Sequence, residues 1–305
     1  MTSIKTNSSA MTALRSLQST NKMLDETQNR ISTGYKVSTA TDNAAYWSIA
    51  TTMRSDNKAL STVQDALGLG SAKIDVTYTG MNAGIEVIDE IKAKLVASRE
   101  PGIDRSKIQD EISQLQDQLI AIADSASFSG ENWLSVDSGA TNYAQVKSVV
   151  ASFTRTDTAV SVDTIDIDTA TVELFDADDQ SGILDSTFTT AGAGALVVSV
   201  TTLDITAVTA TDADIDSMIS NVDAKLALMT TAASDIGAIQ KRMNSQMDFV
   251  SNLIDSIDRG VGALVDADMS KESTRLQALQ TQQQLGIQSL SIANSGAQNI
   301  LALFQ

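Results

Sequence analysis

The sequence predicts a mainly α protein: a long coiled-coil-like helical rod formed by paired N- and C-terminal segments, carrying a small β-rich acidic outer module. Three observations predict it. Apolar residues recur at alternating three- and four-residue steps through both ends of the 305-residue chain, and the pattern lapses between about 137 and 211. One proline and 4% aromatic residues suit long unbroken helices with light cores. Of the net charge of −17, −11 lies between Asp137 and Asp214, where Lys147 and Arg155 are the only basic residues. That concentration belongs on a solvent-facing surface.

From Ala10, steps of seven reach Leu17, Leu24 and Ile31, with Met11, Ala13 and Leu14 beside the first turns. The spacing predicts a helix of roughly 30 residues that stops near "STGYKVSTATDN", where Gly34 and the Ser/Thr run favour irregular backbone. A second seam runs Tyr46, Ile49, Met53, Asp56, Leu60, Val63, Leu67, Gly70, Ile74, Thr77, Met81, Gly84, Ile88, Ile91, Leu95. It predicts one helix of some fifty residues, about 75 Å long. "REPGID" must turn the chain, and Asp104 caps a returning helix with the seam Ile108, Ile112, Leu115, Leu119, Ile122.

After "FSGENWL" the texture changes to strand-like alternation in "AVSVDTIDID", "TVELF", "ALVVSV" and "LDIT", broken by "DDQSG" and "AGAG". The helical period returns from Ile215 to Leu264, apolar at every seam position except Gln240, and implies left-handed wrapping around neighbouring helices. Gly260 and Gly262 punctuate it before the tail.

No residue from Leu276 to Gln305 is charged. Its seam is Leu276, Leu279, Gln283, Gly286, Leu290, Ala293, Ala297, Ile300 and Phe304, with Leu285, Ile287, Ile292 and Leu301 off it. A lone amphipathic helix carries charges on its far face, and a membrane span needs about 20 mostly apolar residues. A helix covered on several sides by other protein satisfies both facts; a frayed tail is the alternative.

Absences narrow the chemistry. With no histidine the usual general base and commonest zinc ligand are missing, and with no cysteine there is no thiolate or disulfide. No HExxH, CxxC, GxxxxGK[ST] or strand-borne GxGxxG occurs, so no catalytic, cofactor-binding or metal residues are assigned and no cofactor is expected. "DADDQSG" at 176–182 reads as an acidic turn, with a calcium loop the lesser reading because position 12 would be Thr187. The pI near 4.2 opposes nucleic acid and anionic membranes. The N-terminus lacks an apolar secretory core, and neither a secretory signal nor membrane insertion is expected. Trp47 and Trp133 are expected to pack in a core or interface, with ligand stacking a minor option.

The layout is nearly mirror-symmetric. Segments 1–43 and 261–305 pair as terminal helices, 44–136 and 212–260 form the rod, and 137–211 is a surface module projecting from the rod's far end. Deleting about residues 140–210 is expected to leave assembly intact.

Three stretches resemble bacterial flagellins, most nearly those of soil alphaproteobacteria of rhizobial type: "NRISTGYKVSTATDNAAYWSIATTM" (29–53), "IQDEISQLQDQL" (108–119) leading to "FSGENWL" (128–134), and "SIANSGAQNILALFQ" (291–305). The resemblance covers roughly 1–135 and 215–305. It implies a secreted, non-enzymatic filament subunit of the extracellular flagellum, exported unfolded through a type III channel, with termini disordered until they assemble. Implied partners are further copies and paralogous flagellins, the export apparatus, an export chaperone, the filament cap and the hook-junction proteins. A junction or needle-tip-like coiled-coil protein is the alternative. The assembly seam comprises Leu14, Leu17, Leu24, Ile31, Leu276, Leu279, Leu290, Ile300 and Phe304.

The resemblance also implies receptor-facing positions. Plant flagellin receptors read a segment matching 29–50, where this chain has Asn43, Tyr46 and Trp47 in place of small or acidic residues and a glycine–leucine pair. The animal Toll-like receptor for flagellin grips a helix matching "DEIKAKLV" (89–96). Glu90 replaces an arginine and Lys94 a leucine there, while Glu111 is kept. Weak activation of both receptors is expected.

Overall fold

The computed structural model describes residues 7–156, 159–207 and 210–302, with side chains described through 296. The chain divides into two compact units, residues 1–58 with 254–305, and residues 59–253. Among the described residues five α-helices carry both: α1 (Ser8–Thr33), α2 (Ala44–Ala97), α3 (Arg105–Ser125), α4 (Asp212–Val265) and α5 (Met269–Ala302).

Each helix starts where a short polar side chain can satisfy its orphan N–H groups. Asn7 accepts from Ala10 N, Asn43 from Ala45 N and Tyr46 N, Asp104 from Ser106 N, and Asp268 from Ser270 N and Lys271 N. Helix α4 starts with a reciprocal pair: Asp214 N donates to the Thr211 hydroxyl, and Thr211 N donates to the Asp214 carboxylate. Gly34 ends α1 at φ 75°, a left-handed position that glycine adopts without a Cβ penalty.

In the 1–58/254–305 unit, the link between α1 and α2 lies alongside the end of α4. Lys36 N and Val37 N donate to Val265 O, and Ala267 N donates to Gly34 O. Val37, Ala50, Val261 and Val265 form a small core there, joined by Met53, Ile257 and Leu264. The inward position near the start of α2 is thus Ala50. Tyr46 and Ile49, placed on the seam by their spacing, are 44% and 49% exposed, and Trp47 likewise lies outside this core.

In the 59–253 unit the seams match their spacing. Leu60, Val63, Leu67, Ile74, Met81, Ile88, Ile91 and Leu95 of α2 are buried, with Ile112 and Leu119 of α3 and Val222, Met229, Ile236, Met243 and Val250 of α4.

The described residues of 127–198 supply eight short or medium strands in four two-stranded sheets: β1 (Ser127–Phe128) with β2 (Glu131–Asn132), β3 (Ser135–Val136) with β6 (Phe175–Asp176), β4 (Val146–Arg155) with β5 (Val160–Asp168), and β7 (Phe188–Thr189) with β8 (Val197–Val198). Three expected strands are shorter than read. "TVELF" supplies only Phe175 to β6, "ALVVSV" only Val197–Val198, and "LDIT" none. The turn-rich stretch 200–205 is held by α3 instead of a strand: Gln116 Nε2 donates to Val200 O at 2.8 Å, Gln109 Nε2 to Leu203 O at 3.1 Å, and Ile205 N to Gln109 Oε1 at 2.9 Å.

The module does not hang from one end of this unit. It lies along the helices, seated on α2 where glycines leave room. A Cβ at Gly70 would stand 2.5 Å from Val149 Cγ1, and at Gly84, whose notch Met229 Cε of α4 fills at 3.1 Å, Leu174 Cδ1 is also in contact at 3.7 Å. The two positions lie about 20 Å apart along the helix. On α4, Gln246 Nε2 donates to Ala151 O, and Lys225 Nζ donates to the Ser186 hydroxyl. Asp214, fully buried, accepts from Thr190 Oγ1, Gly194 N and Thr211. Removing 140–210 therefore uncovers buried helix surface. We expect that deletion to lower the thermal unfolding midpoint of the 59–253 unit markedly, read by circular dichroism.

The acidic turn is built on its own backbone. Asp176 accepts from Ser138 N and Asp178 N at 3.0 Å and from the Ser181 hydroxyl at 3.2 Å. Burial pushes this carboxyl up, but those donors outweigh it and hold Asp176 at about 2. Burial raises Glu173 and Asp185, and the Asp176 charge adds to both. Among the described residues no group of three or more acidic side chains is placed to hold a metal ion.

The signs set a pH profile. The stability tied to Glu173 and Asp185 is fully present below the ordinary carboxylate range and is lost as pH rises through their raised values. That tied to Asp176 is lost only as pH falls toward about 2. Glu173→Gln should therefore raise the unfolding temperature at neutral pH and leave it nearly unchanged near pH 4. Scanning calorimetry across that range checks it.

Candidate assembly interface

The terminal helices pair antiparallel within one chain, and the heptad spacing dictates which residues meet. On α1 the inward positions are Ala10, Ala13, Leu17, Thr20, Leu24, Thr27 and Ile31; on α5 they are Glu272, Leu276, Leu279, Gln283, Gly286, Leu290 and Ala293. Leu24 and Leu279 are 8% and 5% exposed, while Leu17, Ile31, Leu276 and Leu290 are half-buried. Leu17 Cδ1 lies where a Cβ on Gly286 would be 3.2 Å away, so the glycine allows close approach.

Polar contacts fix the register. Asn7 Nδ2 donates to Ala293 O at 2.8 Å and Gln283 Nε2 to Asn21 Oδ1 at 2.8 Å. At the other end of the pair Arg30 reaches Glu272 Oε1 at 3.3 Å and Glu26 at 2.5 Å. Glu272 is buried, and its Oε2 has no hydrogen-bond partner. Thr20 returns its hydroxyl to Ser16 O, which lets a polar residue sit in the seam without an unmet donor.

Several predicted seam residues are thus used inside the chain. Leu14 is 44% exposed instead, beside Met11 at 49%. Leu285, Ile287 and Ile292 on α5 are 59%, 53% and 72% exposed. The cross-helix contacts put 11–18 and 285–292 at the same level of the pair, so the exposed apolar residues of both helices share one stretch. The sequence places Leu285, Ile287 and Ile292 off the seam and Leu14 on it, but does not show that they are uncovered. The Ile300 side chain and Phe304 lie outside the described residues.

The receptor-facing candidates fall in two places. Asn43 caps α2, with Tyr46 and Trp47 exposed in its first turn. Glu90 is exposed on α2, and Lys94 Nζ is 2.5 Å from Glu111 Oε2 of α3. The hydrogen bond to Glu111 and the negative charge of that carboxylate raise Lys94 above its ordinary value.

Buried heptad seams, glycine notches and a terminal helix pair with exposed apolar residues define a helical structural protein; no described helix is long and apolar enough to cross a membrane. Residues 4–138 match the bacterial flagellin N-terminal helical region, and residues 219–304 match the bacterial flagellin C-terminal helical region. The chain is 54% identical over 323 residues to Flagellin C of Rhizobium meliloti, with all of both chains covered. It is 45% identical over 398 residues to that organism's Flagellin A and 46% identical over 309 residues to a flagellin of Brucella melitensis, again covering all of each chain. The chain belongs to the bacterial flagellin family.

Proposed function

We propose that this chain is a structural subunit of the bacterial flagellar filament and polymerises into it for swimming motility. The observation that carries the reading is identity to flagellins along the whole chain, both terminal regions included. A hook-junction or needle-tip role is not favoured by that full-length likeness. The chain acts as scaffold and not as enzyme, and its place is outside the cell in the filament.

A contact that joins different surfaces and does not close builds an open helical array. We assign that contact to the terminal pair, with Leu14, Leu285, Ile287 and Ile292 available to further copies and Leu24 and Leu279 holding the pair together. Segments 1–43 and 261–305 form the inner layer, 44–136 and 212–260 the surrounding rod, and 137–211 the outer surface. The chain passes unfolded through the export apparatus with its chaperone and meets hook-junction and cap proteins at the filament's ends. Paralogous flagellins share the filament, a reading supported by the several flagellins of Rhizobium meliloti.

Purified chain seeded with filament fragments under crowding tests this. Pelleted polymer should lengthen with added subunit without limit; arrest at a few copies would instead fit a junction or tip protein. Weak receptor activation follows from Tyr46, Trp47 and the Lys94–Glu111 pair, since overpacking alone typically costs about 1–3 kcal/mol. Dose–response assays with the 29–50 peptide and whole chain should require far higher doses than a conventional flagellin; equal potency would refute those assignments.

A further inference from the structure

In the 59–253 unit, α4 keeps an uncovered stripe. Ala238, Arg242, Ser245 and Phe249 recur at four-, three- and four-residue steps, so they share one face of the helix, and all four are exposed. The spacing is that of a helix-packing seam. Phe249, at 57%, is the most exposed aromatic side chain among the described residues, and Asp248 is turned about 100° away from it.

A complementary groove lies elsewhere in the same unit. Val76, Thr79, Gly80 and Ala83 of α2, with Ile122 and Ala126 of α3, line an open groove of about 420 Å³. Glu86 stands one heptad beyond Thr79 on the same stripe of α2 and is exposed. Asp75, at the groove's other end, already accepts from Gln240 Nε2. Among the described residues the side chains of Glu86 and Arg242 have no hydrogen-bond or ion-pair partner.

We propose that Phe249 of one copy enters the α2–α3 groove of the next, so that the exposed α4 stripe packs along α2 of a neighbouring subunit. The proposal rests on the filament reading, which brings many copies of this chain together. A second copy fits because one register satisfies ring, small residues and charge at once: Phe249 beside Thr79, Ser245 against Ala83, and Arg242 against Glu86. In that register the two helices run antiparallel. Within one chain α4 also runs antiparallel to α2, since Met243 reaches the notch at Gly70 and Met229 fills that at Gly84. Packing α4 on a neighbour's α2 therefore leaves both copies pointing the same way. The two surfaces are unlike, which is the kind of contact that extends an open array. By the same notches Phe249 is level with Gln64 in its own chain. Moving it to Thr79 offsets the neighbour by about 22 Å, the rise of the residues between those two positions.

The cysteine-free chain makes the unlikeness of the two surfaces measurable. Ser245→Cys and Ala83→Cys placed together in the full-length chain should give, on mild oxidation of sedimented filaments, a ladder of disulfide-linked dimers, trimers and longer chains. Either substitution alone should leave monomers. Within one chain the two cysteines stand about 22 Å apart along the helices, too far for a bridge. Adding Arg242→Glu should cut the linked fraction about tenfold, and adding Glu86→Arg to that variant should restore it. Arg242→Lys gives a second reading: a carbodiimide should then link position 242 to Glu86 of another copy, found by peptide mapping. If the double-cysteine chain fails to polymerise, that linkage decides, and its absence from pelleted filaments overturns the contact. Double-cysteine filaments that pellet normally but stay monomeric on oxidation, or single-cysteine filaments that cross-link equally well, also overturn it and leave the filament reading standing. If the unsubstituted chain never sediments as polymer, the filament reading fails, and this inference with it.

Discussion

Leu279→Asp should dissolve the terminal helix pair and abolish filament growth. Leu279 is 5% exposed and shares the α1–α5 seam with Leu24, itself 8% exposed. Thr20 and Thr27 add only hydroxyls there, and Arg30 at the far end is already engaged by Glu26 and Glu272. Losing the leucine contacts and burying an unpaired charge together cost roughly 3–5 kcal/mol. A two-helix pair has little else to draw on. Helicity from the 1–58/254–305 unit should fall, while the unfolding transition of 59–253 stays in place. Full retention of helicity in the variant would show that the seam contributes little.

Leu285→Asp with Ile292→Asp should separate assembly from folding. These residues are 59% and 72% exposed, so their replacement places carboxylates in water, and helicity should change little in the monomer. In a filament the same carboxylates would be stripped of water without a partner, at a cost of several kcal/mol per charge. Growth should stop although the subunit folds. Normal elongation by a folded double variant would show that subunits meet elsewhere.

The contrast between these variants marks where the sequence was legible. A seam held at three- and four-residue steps from Leu60 to Leu95 specifies the buried face of α2, because a helix returns the same face at that period. The period does not say whose helix fills the groove. Leu24 and Leu290 on one hand, and Leu14 on the other, look alike in the sequence; only the first two face a partner within the chain. Tyr46 and Ile49 continue the spacing past the point where α4 and the α1–α2 link accept side chains, and Ala50 faces the core in their stead.

The module was harder to read. Strand β4 went unseen because the bulge at Ala151 breaks the alternation of "VKSVVASF". The stretch 203–206 read as strand because its residues do alternate in burial, but glutamines of α3 hold its backbone. Nor could composition reveal that Gly70 seats Val149 of the module. A glycine inside a helical seam reads as a weak point until the side chain that fills its notch is known.

Electron cryomicroscopy of filaments grown from the purified chain tests the central claim most directly. It should show an open helical array with the α1–α5 pair forming the inner layer, Leu285 and Ile292 covered by neighbouring subunits, and the β4–β5 hairpin outermost. A closed particle, or a filament whose inner layer lacks the terminal helices, would contradict the account.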